Sequence, residues 1–283
     1  MEGPTIILER SHAGYENDGY VNLTQSGVNP ATIRGALSDA ELAELAAVSP
    51  GHGSTDGTPA LREAVAGRYP AAAAENVLIA HGRSEANLLA LMVLAERGDH
   101  IIFVAPSVIR IDGLARSLGV EITQVALRPE DGWQPDITAL ESAIRPRTKL
   151  ITLRDPSNAM GAKLTQSSRQ ALADLSDRTG VWLHVDEIGR APRIDGDDAP
   201  SLYGMGKRII VTGGMAQPFE RPDPRMGWVI GPQALVADGQ RLLDFTSIGA
   251  SAVSQVMTER VMCEPVKSSL FARSRHIRDT PSH

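Results

Sequence analysis

The sequence predicts an α/β protein whose mostly parallel sheet is flanked by helices. Three observations lead there. Between about residues 58 and 230, strand-like apolar runs alternate repeatedly with segments of helical period. Cap and stop residues punctuate the helices, with Thr58-Pro59 and Thr165 opening them and Gly98 and Gly180 closing them. The runs around 150–153 and 181–185 are nearly continuously apolar, as strands covered on both faces are.

The first element of the alternation is a helix from Pro59 through about Tyr69, with Thr58 as N-cap and proline where a missing N–H does no harm. Residues 76–80 read as a strand. Residues 85–97 read as a helix whose Leu88, Leu89, Met92 and Ala95 form one apolar face before Gly98 stops it. A strand follows at 100–105, then a helix near 110–118, a strand near 121–125 and a helix near 136–144. The strand at 149–153 leads to a helix capped by Thr165 and ended near Gly180, and strands at 181–185, 208–212 and 227–230 complete the set. The flanks differ. Residues 1–50 carry a polar loop at 11–29 and a helix at 38–47, and 233–283 are mainly helical with a polar tail at 278–283.

At 283 residues with 42% hydrophobic side chains, the chain can fill a large core. A formal net charge of -6, with both signs interspersed, argues against a nucleic-acid surface, which needs clustered Lys and Arg. Cys263 is the only cysteine, so no intrachain disulfide can form, which fits a reducing compartment and makes the cytoplasm the expected location. No stretch approaches the ~18 to 20 apolar residues that span a bilayer, so neither a membrane anchor nor a signal peptide is expected. No metal site is expected either.

In an open parallel sheet, ligands collect beyond the carboxyl ends of the strands. After the strand at 76–80 comes His81-Gly82-Arg83-Ser84-Glu85, which opens directly into a helix, so its amides either hold an anion or are simply capped. After 150–153, Asn158 either presents its amide to a bound ring or sits in a turn. After 181–185, Asp186 either pairs with a protonated ring nitrogen or serves as a helix cap or structural ion pair. Arg225, just before 227–230, either clamps a phosphate or is solvated. Together these elements supply what a phosphorylated heteroaromatic cofactor needs.

On these residues the chain resembles the class I/II aminotransferases of the fold-type I pyridoxal-phosphate enzymes, over roughly residues 20 to 280. Gly53-Ser54-Thr55-Asp56-Gly57-Thr58-Pro59-Ala60-Leu61-Arg62 resembles the family's glycine-rich entry to its first large-domain helix. Gly82-Arg83-Ser84-Glu85-Ala86 resembles its phosphate turn, and Asn158 the asparagine facing the cofactor's phenolic oxygen. Asp186-Glu187 resembles the pyridine-nitrogen aspartate motif, and Arg225-Met226-Gly227-Trp228 the phosphate arginine motif. The resemblance implies that 51–240 is the cofactor domain, that 1–50 contributes small-domain and dimer contacts, and that 241–283 holds interdomain helices and a truncated small domain. It also implies a homodimer, and an amino acid or keto acid as the small-molecule partner.

The departures fall on the chemistry. The family's spacing, counted back from Arg225, puts Gln217 where the cofactor-bonding lysine stands, with Gly214 and Ala216 in place of small hydroxyl residues. Val108 takes the place of the ring-stacking aromatic residue, Gly189 that of a tyrosine, Ala159-Met160 that of Pro-Thr, and His52 that of a tyrosine reaching across the dimer toward the phosphate. The family's lysine bonds the cofactor aldehyde and then moves the substrate proton. A glutamine amide does neither, and loss of a positioned base alone removes about 10² to 10⁴ in rate.

The resemblance therefore implies a divergent member that binds pyridoxal 5'-phosphate or pyridoxamine 5'-phosphate non-covalently through Gly82, Arg83, Ser84, Asn158, Asp186 and Arg225, with little ordinary turnover. His184 is expected in the sheet, supporting Asp186. Two alternatives stay open. One is an active transferase, lyase or dehydratase in which Lys163, His52 or His81 takes the lost role. The other is a cofactor-free remnant that partners a complete homologue.

Overall fold

The computed structural model describes residues 32–51, 53–107, 111–157, 160–190, 200–215 and 224–263. Among them, seven strands form one sheet: β1 Val77–Ala80, β2 His100–Ala105, β3 Glu121–Ala126, β4 Thr148–Arg154, β5 Trp182–Asp186, β6 Ile209–Gly214 and β7 Gly227–Ile230, in the spatial order β1-β7-β6-β5-β4-β2-β3. The neighbours from β6 through β3 are parallel, whereas β7 runs antiparallel to both β6 and β1. The sheet is thus mostly parallel with one reversal.

The helices used below are α1 Asp39–Ala47, α2 Pro59–Ala66, α3 Gly82–Leu94, α4 Ile111–Leu118, α5 Ile137–Ser142, α6 Gln166–Thr179, α7 Gln233–Leu243 and α8 Ala252–Cys263. Their starts follow the chemistry of the sequence. Thr58, Asp136 and Thr165 each accept a first-turn amide hydrogen through the side chain, and Gly180 ends α6 in the left-handed conformation at φ 72.

Both faces of the sheet are covered. Val77 and Ile79 join a core with Leu61 and Val65 of α2, Leu172 and Leu175 of α6 and Val261 of α8. Leu78 and Ala80, pointing the other way as alternate strand residues must, join Ala86 and Leu89 of α3 and Leu235 and Val236 of α7. Ile111 and Ala115 of α4 pack with Ile101, Phe103 and Leu150 on the same side as α3. Gln255 of α8, fully buried, donates to the Ser54 and Ala250 carbonyls at 2.8 Å each and accepts the Thr58 N–H at 2.9 Å, which pins the glycine-rich entry segment to α8.

Two helices depart from the sequence expectation: α2 ends at Ala66 instead of about Tyr69, and α3 lies earlier in the chain than expected. The spacing predicts 85–97, and the structure has Gly82–Leu94. The Asp99 carboxylate accepts the Glu96 N–H at 3.1 Å, so the residues after Leu94 turn instead of continuing the helix and deliver His100 to β2. The buried arc is also wider than expected. Ala86, Asn87, Leu89, Ala90 and Leu91 are buried while Leu88 and Met92 are half-buried, because α3 lies on the sheet between α7 and α4.

This topology sets up a site. The parallel strands end at Ala80, Ala105, Arg154, Asp186 and Gly214 along one edge, and β7 starts there, Gly227 being in register with both Ala80 and Gly214.

Candidate active site

At that edge α3 begins at Gly82, behind an exposed His81 that provides no side-chain cap, while Glu85 folds back to accept the His81 N–H at 2.6 Å. Two glycines bring the start of β7 against this turn. A Cβ at Gly227 would stand 2.4 Å from the Gly82 carbonyl carbon and 2.6 Å from the Arg83 nitrogen. A Cβ at Gly82, whose φ is +79, would stand 2.7 Å from Arg225 Nη2. The Arg225 guanidinium therefore lies over the first turn of α3, a turn that also carries the exposed Ser84, so an arginine and the positive end of a helix share one spot.

Asp186 closes β5 and has no solvent exposure. Its Oδ1 accepts the Ile188 N–H at 3.1 Å, and its Oδ2 accepts Asn87 Nδ2 at 3.1 Å and Arg83 Nη1 at 3.3 Å. Behind it runs a buried chain of polar groups. Thr212 donates its hydroxyl to Asn87 Oδ1 at 2.6 Å, which obliges it to accept from His184 Nε2 at 3.0 Å. The imidazole therefore carries its proton on Nε2, and Nδ1 accepts from Thr152 at 2.8 Å. Every donor in the series points toward Asp186, so each bond polarises the next. Burial, opposed in part by the Asp186 charge, pushes the His184 pKa down to about 4 and keeps the ring neutral. His184 thus supports Asp186 through Thr212 and Asn87 rather than by direct contact.

The neighbouring charges serve the scaffold. Asp155 and Arg169 form a buried pair at 2.5 Å, and Asp155 also accepts the Leu164 N–H at 3.0 Å, anchoring the segment after β4. Glu187 accepts from Ser201 Oγ and the Leu202 N–H, both at 2.9 Å, and faces Arg190 at 3.6 Å; burial pushes its pKa up to about 7. Lys163 is exposed and lines a pocket with Arg154, Asp155, Ser157 and Ser107. Lys207 precedes β6, at the opposite edge of the sheet. A Cβ at Gly214 would stand 2.9 Å from Ile188 Cδ1 and 3.0 Å from the Met226 carbonyl oxygen, so a hydroxyl residue does not fit there without those groups moving. His52, Val108, Asn158 and Gln217 lie outside the described residues. Among the described residues no group of three His, Cys, Asp or Glu could hold a metal ion, and no helix is long and apolar enough to cross a membrane.

The sequence profile of the aminotransferase class I and II family matches residues 29–278. The chain belongs to that family. It is 29% identical to the arginine–pyruvate transaminase of Pseudomonas aeruginosa over 193 residues, covering 66% of this chain and 49% of that one. It is 30% identical to the capreomycidine synthase of Streptomyces vinaceus over 217 residues, covering 76% and 54%. Among solved structures, a PLP-dependent aminotransferase from Streptococcus suis superposes with a TM-score of 0.87 at 24% identity, covering 98% of this chain and 75% of that one. The aspartate aminotransferase of Thermus thermophilus with maleate gives 0.84 at 21%, covering 96% and 74%. The fold is thus the fold-type I PLP-dependent transferase fold, and this class I/II family chain spans about half the length of the curated relatives it matches.

Within this aminotransferase-family chain, Gly82, Arg83, Ser84, Asp186 and Arg225 come together at one edge of the sheet. Sequence reasoning missed Asn87, Thr212 and Thr152. A signal for Asn87 existed: a lone amide in the apolar stretch 86–95, one helical turn after Arg83. Thr152 and Thr212 gave none, since a β-branched residue in a strand is ordinary.

Proposed function

We propose that this chain is an aminotransferase-like protein that binds pyridoxal or pyridoxamine phosphate without a covalent bond and is impaired in ordinary transamination. The carrying observation is the arrangement at the sheet edge, where Arg225 and the α3 N-terminus converge over Gly82 and Gly227 while a buried, donor-fed Asp186 ends β5, two strands over from β7. The residues present fit such a cofactor. The Arg225 guanidinium and the α3 first-turn backbone amides of Gly82, Arg83 and Ser84 would hold its phosphate, Asn158 its phenolic oxygen, and Asp186 its ring nitrogen. When bound, the cofactor supplies an electron sink for amino-acid chemistry. Gln217, at the lysine position by the spacing to Arg225, supplies neither the covalent link nor a base. Val108 and His52 would border the ring and the phosphate, the latter from the second subunit of a homodimer. Amino acids or keto acids are the matching small-molecule partners, and residues 51–240 form the cofactor domain.

Titration with pyridoxal phosphate, followed by absorbance, tests this reading. Wild type should bind saturably and reversibly, and Arg225→Ala should weaken binding by roughly 10- to 100-fold, the worth of a charge-assisted hydrogen bond. Equal affinity in the two proteins would remove Arg225 from the site.

A further inference from the structure

Arg83 is the second residue of the turn before which the phosphate is proposed to sit, yet its side chain is committed elsewhere. From the first turn of α3 it reaches the carboxylate of Asp186, its Nη1 3.3 Å from Oδ2, and only about a fifth of the side chain is exposed (21%). Its path runs beside Gly214, where an added Cβ would stand 3.5 Å from Arg83 Cβ. Asp186 itself is fully buried, with Asn87 on the same Oδ2 and the Ile188 N–H on Oδ1. A guanidinium in this place does two things that a protonated ring nitrogen would do: it offers an N–H to the inner carboxylate, and it neutralises its charge. The surroundings leave little need for both. Arg154, in register with Asp186 on β4, is itself 7% exposed, so a second cation stands near Asp186.

Resting on the cofactor reading above, we propose that Arg83 is a resident substitute for the cofactor ring, which neutralises Asp186 in the cofactor-free protein and must leave it before the ring can dock. Loading is then an exchange of one cationic donor for another. The exchange follows from geometry, because the guanidinium and the ring nitrogen would offer their N–H to the same buried carboxylate. Gly82 and Ser84 take part in phosphate binding through the helix end, and Arg83 controls access to the ring position.

The test compares wild type with Arg83→Ala and Arg83→Gln in titrations with pyridoxal phosphate and, separately, inorganic phosphate, with stopped-flow loading rates and thermal melts on each protein. Both variants should bind pyridoxal phosphate about 10-fold tighter or more and load faster, while inorganic phosphate affinity stays level or weakens. Arg83→Gln keeps an amide donor near Asp186 if the alanine variant fails to fold. Unchanged or weaker pyridoxal phosphate binding in the folded variants, with wild type still binding, overturns the inference and leaves the cofactor reading standing. No binding by wild type or by either folded variant overturns both.

Discussion

His184 shows how a single buried ring ties site chemistry to stability. In the unfolded chain an imidazole titrates near 6.5, and in the fold burial pushes it down to about 4. Between those values the unfolded state binds more protons, so this group's contribution to stability is intact above pH 6.5 and is lost as pH falls through 4, by roughly 3 kcal/mol in all. Glu187 slopes the other way: burial raises its carboxyl to about 7, so its contribution is complete below 4.5 and is lost as pH rises through 7. The wild-type curve mixes the two, and the difference between wild type and His184→Gln isolates the histidine. In urea melts the variant should lose less stability than wild type on going from pH 7 to 4.5. Parallel losses would contradict the buried ring held neutral.

At the scale of elements, the contact between the start of β7 and the first turn of α3 is what assembles the anion end of the site. The atoms that a Cβ at Gly227 would strike, the Gly82 carbonyl carbon and the Arg83 nitrogen, are backbone and cannot swing aside. Gly227→Ala should therefore cost about 2 kcal/mol or more in chemical denaturation and weaken pyridoxal phosphate binding further than that loss of stability explains. A stability within about 0.5 kcal/mol of wild type would mean the two elements do not meet as described. The elements themselves were readable because apolar period and cap residues are local signals, as at Thr58, Thr165 and Gly180. What was not readable is set by partners distant in sequence. A four-residue apolar run such as 227–230 has the same pattern in either direction, so the reversal of β7 left no trace. The end of α3 depends on one carboxylate, Asp99, outcompeting helix continuation. The motif residues at the strand ends were legible by type and order. The series from Thr152 through His184, Thr212 and Asn87 to Asp186 was not, because it crosses three strands and a helix.

For the whole molecule, the family, the fold and the chemistry carry different weights. Membership in the aminotransferase class I and II family and the fold-type I architecture are features of the whole match, spanning residues 29–278. Turnover rests on a few positions, and Gln217 is the one from which the proposed function departs from the family's ordinary reaction. The measurement that tests this most directly is borohydride reduction of the protein loaded with pyridoxal phosphate, followed by intact mass and peptide mapping. Saturable binding with an unshifted mass is the predicted result. A stoichiometric phosphopyridoxyl adduct on a single lysine, such as Lys163, which lines a pocket with Arg154 and Asp155 beyond the end of β4, would contradict it and point to an active enzyme with a relocated lysine.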